Sequence, residues 1–173
     1  PITGTGAPGS AKTALLTKLI VTGAVTNCMS GNRFGLLLKS AGYSNLIITG
    51  KANSPVYVKI FDENVEICDA TSIYGKDINE ATDDLWKKHG SQNSVLAIGE
   101  AGENRVPISL ALIDKIHTWG KGGLGAVMGS KNLKAIVVDG SKGVEVYDPK
   151  GFMRIAKGIF DKIVKDPNHE RSV

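Results

Sequence analysis

The chain has 173 residues, a formal net charge of +4, and 42% apolar against 22% charged residues. This length suits one domain around a single core, and the composition excludes both a disordered chain and a strongly basic nucleic-acid coat. The sequence contains no apolar run of the roughly eighteen residues that a membrane span needs, and it does not open on a charged region followed by an apolar one. We therefore expect a cytoplasmic protein with no nucleic-acid or membrane partner.

The first predicted elements are a pair of strands. Residues 13–26 are rich in Leu, Ile, Val and Thr, and a turn signal lies at Thr22-Gly23. This pattern favours two strands joined by a turn, although residues 14–21 also fit a helix.

A short helix is predicted next, over residues 32–41, whose apolar side chains recur at helical spacing. Ser30 is a candidate N-cap for this helix, and Gly42 is a natural residue to follow its end. Three strands are then predicted at 45–49, 56–61 and 65–68, with a hairpin turn at 62–64 between the last two.

The most distinct local signal is a capping box. Asp77 with Glu80 three residues later predicts a helix that runs through Lys88 and stops at Gly90. Further apolar runs of strand length follow at 94–98, 108–113 and 135–138.

The last predicted element is an amphipathic helix that begins at Asp148 as N-cap and Pro149 as first helical residue. Its apolar stripe consists of Phe152, Ile155, Ala156, Ile159, Phe160 and Ile163. Strands and helices together predict a sheet-rich α+β protein.

The first candidate site is residues 6–13, GAPGSAKT, which nearly match a phosphate-cradling P-loop with Lys12 as its lysine. Ala11 stands where that loop requires a second glycine, and a Cβ there obstructs amides that must all turn toward phosphate. The segment is therefore open to three interpretations: an ordinary Gly/Pro turn, a nucleotide loop, or a different phosphate site.

The second candidate site is the glycine-rich stretch 119–131, WGKGGLGAVMGSK. Glycines let backbone amides approach a ligand closely, and a helix that begins near Gly123 would present its positive end to an anion. Lys121 and His117 add positive charge beside it. The alternative is an ordinary tight turn.

The cysteines and the other histidines suggest no metal or catalytic group. Cys28 and Cys68 are too far apart for a CxxC motif, so an iron–sulfur cluster would need ligands from elsewhere. His89 and His169 occupy positions typical of solvated side chains. We find neither a catalytic triad nor metal-ligand spacing.

Residues 120–135, GKGGLGAVMGSKNLKA, closely resemble a signature of the N-terminal domain of the aldehyde:ferredoxin oxidoreductase family. Other segments resemble the family in the same order: PITGT at 1–5, KSAGY at 39–43, GKA at 50–52, PVY at 55–57 and AGEN at 101–104. The resemblance covers roughly residues 1–155.

The resemblance implies two packed, mixed or antiparallel sheets that support a tungsten (or molybdenum) bis-molybdopterin. The implied enzyme oxidises aldehydes to carboxylic acids and passes electrons to ferredoxin or a related iron–sulfur acceptor. Its [4Fe-4S] cluster would be held by later domains, and a homodimer is an expected assembly. Residues 1–145 would then be the pterin-binding domain, incomplete at its N-terminus, and 146–173 the truncated start of a helical region.

The resemblance also implies cofactor contacts. The side chains of Lys12, His117 and Lys121 would neutralise pterin phosphates where many family members have arginines, although lysine lacks the two-pronged arginine geometry. Backbone amides would add contacts at Gly31, Gly120, Gly122 and Gly123, and backbone carbonyls at Met29 and Thr118 would reach a magnesium ion between the phosphates. None of these residues is implied as a catalytic acid or base.

Two other functions remain open from the sequence. One is a P-loop-like nucleotide-binding domain. The other is a family-derived module that has lost the cofactor and only binds other proteins.

Overall fold

The computed structural model describes residues 2–166, and that part of the chain forms eight strands and five α-helices. The strands are β1 Lys12–Lys18, β2 Val25–Gly31, β3 Val56–Phe61, β4 Asn64–Asp69, β5 Ser94–Ile98, β6 Ala111–Ile113, β7 His117–Trp119 and β8 Leu133–Asp139. The helices are α1 Arg33–Ser40, α2 Ile78–His89, α3 Glu100–Glu103, α4 Leu124–Ser130 and α5 Pro149–Lys165. The predicted region 146–173 is thus described only as far as residue 166, and His169 lies outside the described residues.

The strands form two sheets, which confirms the predicted sheet-rich α+β class. β1 and β2 make a two-stranded antiparallel sheet. The other six strands form one sheet in the order β4-β3-β8-β5-β6-β7. Within it β3 and β8 are parallel and every other pair is antiparallel, so the large sheet is mixed.

The central strands of the large sheet are covered on both faces. Alternate residues of its central strands enter two apolar clusters, because successive side chains of a strand point to opposite faces. Leu96 and Ile98 join the cluster that contains α1 and α4, whereas Val95 and Ala97 join the one that contains α2. The small sheet packs on the first cluster through Leu15 and other half-buried side chains.

Helix α1 is predicted correctly but its N-cap is not. The Asn32 side chain accepts a hydrogen bond from the Gly35 amide at 3.1 Å, so Asn32 is the N-cap. Ser30 cannot take that role because β2 continues through Gly31. Gly42 follows the helix as predicted, with a φ of 97° that favours glycine.

The capping box at α2 is confirmed. One Asp77 carboxylate oxygen accepts the amides of Asn79 and Glu80 at 2.7 and 2.9 Å. The Glu80 carboxylate accepts the Asp77 amide in return at 3.4 Å. Helix α2 ends at His89, directly before Gly90.

The prediction of a strand at 45–49 is wrong. This segment pairs with no strand among residues 2–166, and Ile47 is 83% exposed. Its strand-like composition therefore finds no ladder partner in the described structure.

The predicted strand at 108–113 is shorter than expected. Only Ala111–Ile113 forms β6, because the Ser109 carbonyl is already used as an acceptor for the Gly125 amide at the start of α4, at 3.1 Å. The sequence patterns also did not predict α3 or β7, which have only four and three residues.

A buried ion pair ties α3 to the large sheet. The Lys134 ammonium on β8 is fully buried and lies 2.5 Å from a Glu103 carboxylate oxygen on α3. It also donates to the Lys76 carbonyl at 2.7 Å, and the Glu103 carboxylate accepts the Gly75 amide. Each buried charge therefore has hydrogen-bond partners, as burial requires.

The predicted amphipathic helix is confirmed as α5, and Asp148 and Pro149 stand at its start as expected. Most of its apolar stripe is exposed, and Ala156 is its buried member. No helix within residues 2–166 is long and apolar enough to cross a membrane.

Candidate functional site

One face of the small sheet is exposed, and we call it the hairpin face. Strand alternation turns every second side chain of β1 and β2 away from the core. Leu16 and Met29, which are 70% and 64% exposed, give this face apolar area. The hairpin face comprises Lys12, Ala14, Leu16, Lys18, Val25, Asn27 and Met29.

The Met29 carbonyl lies on the outer edge of the small sheet. The Asn32 amide donates to the Ala11 carbonyl at 3.1 Å, which fixes where the bonded pairs of the antiparallel ladder fall. Counting back along the register, Ser30 is in a bonded pair and Met29 is not. The Met29 N–H and C=O therefore point away from β1.

The Thr118 carbonyl is free for the same reason. The Asp114 amide donates to the Val95 carbonyl at 2.9 Å, so Leu112 bonds to β5 and the residues on either side of it bond to β7. Thr118 lies opposite Leu112 and is therefore not in a bonded pair. Its N–H and C=O point to the outer edge of β7, the last strand of the large sheet.

These two edges belong to neighbouring strands, since β2 and β7 are in contact. Between residues 2 and 166, no backbone amide donates to either the Met29 or the Thr118 carbonyl. Two carbonyl oxygens on adjacent strand edges are the kind of hard ligand that magnesium binds. The two predicted carbonyls are thus not used in the ladder of their own sheet.

The glycines of the predicted loop have different roles. Gly122 has a φ of 95°, and a Cβ there would lie 2.5 Å from the Thr26 methyl on β2. A Cβ at Gly123 would collide with the Pro107 carbonyl. Gly120 is different, because a Cβ there would meet nothing nearer than 3.6 Å. Packing within the chain therefore explains why positions 122 and 123 are glycine, but it does not explain why position 120 is glycine.

The predicted cationic side chains are exposed and unpaired. Lys12, His117 and Lys121 make no side-chain hydrogen bond or ion pair with any residue in 2–166. The ammonium groups of Lys12 and Lys121 are therefore available to an anion, and the His117 ring can donate a hydrogen bond to one. Helix α4 begins at Leu124 directly after the loop, as predicted near Gly123.

The predicted residues fall into two groups. Lys12 and Gly31 are cross-strand partners at one end of the hairpin, whereas Gly122 contacts Thr26 near the turn. The five residue steps from Thr26 to Gly31 span about 17 Å along the strand. Lys12 and Lys121 therefore do not converge on one phosphate.

The nucleotide-loop interpretation of residues 6–13 is wrong. A P-loop leads into a helix whose N-terminus faces the phosphates. Here Lys12 is the first residue of strand β1, and Arg33 starts the first helix within residues 2–166.

Between the two sheets lies a cavity of about 460 Å³. Its wall includes Trp119, which is only 3% exposed, and its indole N–H has no hydrogen-bond partner among the described residues. The Thr13 hydroxyl on β1 is likewise buried and unpaired in this part of the chain. The region between the sheets thus holds one N–H donor on β7 and one hydroxyl on β1 that pair with no described residue.

The predicted cofactor contacts did not include Lys18 and Asn27, which share the hairpin face with Lys12 and Met29. The period-two alternation of the predicted strand pair was the signal that could have found them.

His89 is not solvated as predicted. It is half-buried, and its Nε2 lies 3.0 Å from the Tyr57 hydroxyl. Burial lowers the pKa of His89, and the nearby Lys59 and Lys88 lower it further. Across residues 2–166, no group of three or more His, Cys, Asp or Glu side chains is arranged to hold a metal ion.

Comparison with known families gives one match along most of the chain. The family described as aldehyde ferredoxin oxidoreductase, N-terminal domain, matches residues 1–140. The tungsten-containing aldehyde ferredoxin oxidoreductases of Pyrococcus furiosus and Pyrococcus abyssi are 44% and 45% identical over 168 residues. Those alignments cover 96% of this chain and 28% of each relative, so the chain spans little more than a quarter of their length.

Two further proteins are similar. An aliphatic sulfonate oxidoreductase, WOR-like subunit, of Pyrococcus furiosus is 40% identical over 151 residues, covering 79% of this chain and 24% of the relative. The solved active-site complex BamBC of benzoyl coenzyme A reductase with 1,5-dienoyl-CoA superposes with a TM-score of 0.88 at 36% identity. That superposition covers 92% of this chain and 24% of the other.

Proposed function

Because the chain belongs to the aldehyde ferredoxin oxidoreductase family, as part of its N-terminal domain, we propose that it supports a tungsten (or molybdenum) bis-molybdopterin. The intact enzyme would oxidise aldehydes to carboxylic acids in the cytoplasm, with ferredoxin or a related iron–sulfur protein as acceptor. Residues 1–145 would form the pterin-binding part and 146–173 would begin a helical region. The remaining domains, a [4Fe-4S] cluster held by them, and a second copy of the enzyme complete the proposed assembly.

The observation that carries this proposal is the pair of free carbonyls on adjacent strand edges, at Met29 and Thr118, beside unpaired cations. The Met29 and Thr118 carbonyls would supply hard oxygen ligands to a magnesium ion bound with the cofactor, and the lysines would supply positive charge to its phosphates. The exposed hairpin face adds a mainly apolar surface on which a flat ring system can lie. A cofactor that is both flat and phosphorylated fits this combination.

In this proposal the residues of this chain bind and orient but do not transfer protons. Lys12, His117 and Lys121 neutralise phosphate charge, and the Gly120 amide approaches the ligand where no side chain intervenes. Amides at Gly31, Gly122 and Gly123 are the other proposed contacts. The bound cofactor would supply the two-electron redox chemistry.

The region also fits a module that binds a protein instead of a cofactor, because an exposed apolar face suits either ligand. Elemental analysis and pterin fluorescence of the full-length protein, prepared without oxygen, distinguish the two. We expect tungsten or molybdenum together with pterin in stoichiometric amounts. Folded protein that contains neither would favour the interaction module.

A further inference from the structure

The turn between β6 and β7 has a strained backbone. Asp114 and Lys115 are consecutive residues with φ values of 50° and 65°, in the left-handed region that side chains other than glycine disfavour. Such strain persists only where surrounding contacts fix it, and it is often found near functional sites. This turn leads directly into His117 and Thr118, two residues of the proposed cofactor surface.

The Asp114 carboxylate fixes the first half of the turn. One oxygen accepts the Val95 amide at 2.8 Å, and the other accepts the Ser94 hydroxyl at 2.7 Å. The second oxygen also lies 3.7 Å from Nε of Arg33. The Asp114 side chain is only 12% exposed, so water competes little for these contacts.

The second half of the turn is held by contacts with helix α2. The Lys115 ammonium lies 2.5 Å from an Asp83 carboxylate oxygen, and 5.3 Å from the centroid of the Trp86 ring. Both partners are on α2. The turn is thus anchored to α2 through Lys115 and to β5 and Arg33 through Asp114.

Arg33 connects this turn to the other proposed strand. It is the first residue of α1 and follows the end of β2 by two positions. Its guanidinium donates to the carbonyls of Ser91 and Asn93 at 3.1 and 2.9 Å, just before β5. A single side chain therefore links the end of β2, the start of β5 and the turn before β7.

We propose that Arg33 and Asp114 are positioning residues that hold β7 at a set place relative to β2. In doing so they fix the spacing between the Met29 and Thr118 carbonyls, and hence the affinity for a phosphate-bound magnesium ion. Neither residue touches that ion. The inference rests on the proposed function, because the ion is part of the proposed cofactor.

The test uses full-length holoenzyme and compares two glycine variants. Asp114→Gly keeps the left-handed backbone accessible but removes every carboxylate contact. Lys115→Gly relieves the same strain one residue later and leaves those contacts in place, so it is the matched control. Mutation of residues that orient the ligands of a metal typically lowers the affinity for that metal about ten- to a hundredfold. Asp114→Gly should therefore weaken magnesium binding by that factor. Lys115→Gly should weaken magnesium binding less than Asp114→Gly does, because it loses only the contacts with α2 and keeps the link between Asp114 and Arg33.

Magnesium retained per pterin is measured over a titration with a chelator, on folded protein only. Asp114→Asn should show an intermediate loss, because its amide oxygen can still accept the Val95 amide and asparagine tolerates positive φ. Arg33→Gln tests the same link if Asp114→Gly fails to fold, and it should also weaken magnesium binding. Equal magnesium affinity in Arg33→Gln, Asp114→Gly, Lys115→Gly and wild type would overturn the inference.

Amide hydrogen exchange of β7 gives a second readout that needs no cofactor. Exchange should be faster in Asp114→Gly than in Lys115→Gly, because only the first variant loses the link to Arg33. If wild-type protein contains no pterin, the proposed function fails, and the exchange comparison alone decides the positioning role. Equal exchange in the two variants would then refute it.

Discussion

The large and small sheets differ in how much of their strand surface is buried. Every residue of β5 is buried, as are all residues of β8 except its last, because these central strands of the large sheet are covered on both faces. The small sheet is covered on only one of its faces. On its other face, lysine, asparagine and large apolar side chains are exposed to solvent. Exposed apolar area of this kind usually marks a binding surface. The buried central strands of the large sheet therefore supply stability, whereas in the proposed function the small sheet and the edge strand β7 form the surface that binds the cofactor.

The glycines of the signature at residues 120–135 also fall into two groups, those required by packing and those free of it. A Cβ at Gly125 would lie 2.7 Å from the Leu110 carbonyl, and one at Gly129 would collide with the Gly102 carbonyl. Those glycines allow α4 to pack against neighbouring backbone. Gly120 has no such constraint. A motif that sequence comparison treats as one unit thus contains a folding part and a proposed binding part.

The largest expected effect is on the large-sheet side, at Lys134. Lys134→Met leaves the buried Glu103 carboxylate without its cation, which should destabilise the fold by about 3–5 kcal/mol. The free energy of unfolding from denaturant titration measures this. Lys157→Met is the control, because its pair with Asp161 is exposed and should contribute about 0.5 kcal/mol or less. Similar losses in both variants would contradict the structural role.

Substitution of Lys121, on the proposed cofactor surface, should change the affinity for the cofactor and leave the free energy of unfolding unchanged. Lys121→Ala removes a charge-assisted contact and should lower cofactor affinity about ten- to a hundredfold, while Lys121→Arg should preserve it. Metal and pterin content per folded protomer, after equilibration with limiting cofactor, gives the comparison. Equal occupancy in wild type and both variants would remove Lys121 from the site.

Two substitutions of glycine by alanine test whether residues 120–135 contain one part that serves folding and another that binds cofactor. Gly129→Ala forces apart two backbones and should cost about 1–3 kcal/mol of unfolding free energy. Gly120→Ala meets no clash and should stay within about 0.5 kcal/mol of wild type, yet reduce cofactor content if its amide approaches the ligand. Thermal unfolding and pterin content are measured on the same samples. A larger loss of stability in Gly120→Ala than in Gly129→Ala would contradict the prediction.

The smallest expected effect concerns pH and His89. Burial lowers the pKa of His89 in the folded protein, so the unfolded chain binds a proton more readily below its ordinary pKa of about 6.5. The fold should therefore lose stability as pH falls through that range, and His89→Gln should reduce the loss. Unfolding midpoints at about pH 7.5 and pH 5.5 provide the comparison. An unchanged pH slope in His89→Gln would show that another group is responsible.

Local signals predicted much of this fold. The capping box at Asp77 and the glycine after α1 follow from contacts between near neighbours, and both are found in the structure. Strand composition at 45–49 was misleading because a strand also needs a partner, which the described structure does not offer. Strand β7 was missed because three residues carry too little pattern.

The glycine patterns pointed to Lys12, His117 and Lys121, whereas the carbonyl contacts at Met29 and Thr118 came only from the resemblance. Sequence could name Met29 and Thr118, but it could not show that their carbonyls are free, because that depends on which ladder pairs are bonded. Nor could it separate Gly120 from Gly129, since the difference lies in backbone that approaches from distant segments. The side chains of Lys18 and Asn27 could have been found by alternation alone.

In the proposed function, the cofactor covers the hairpin face and the glycine-rich loop at residues 119–131. Lysine acylation of full-length protein, with and without its cofactor and read by mass spectrometry, tests this most directly. We expect Lys12 and Lys121 to react slowly in holoenzyme and faster once the cofactor is removed. Lys87, which is exposed on α2, should react equally in both forms. If Lys12 and Lys121 react at the same rate with and without cofactor, the surface described here is not where the cofactor lies.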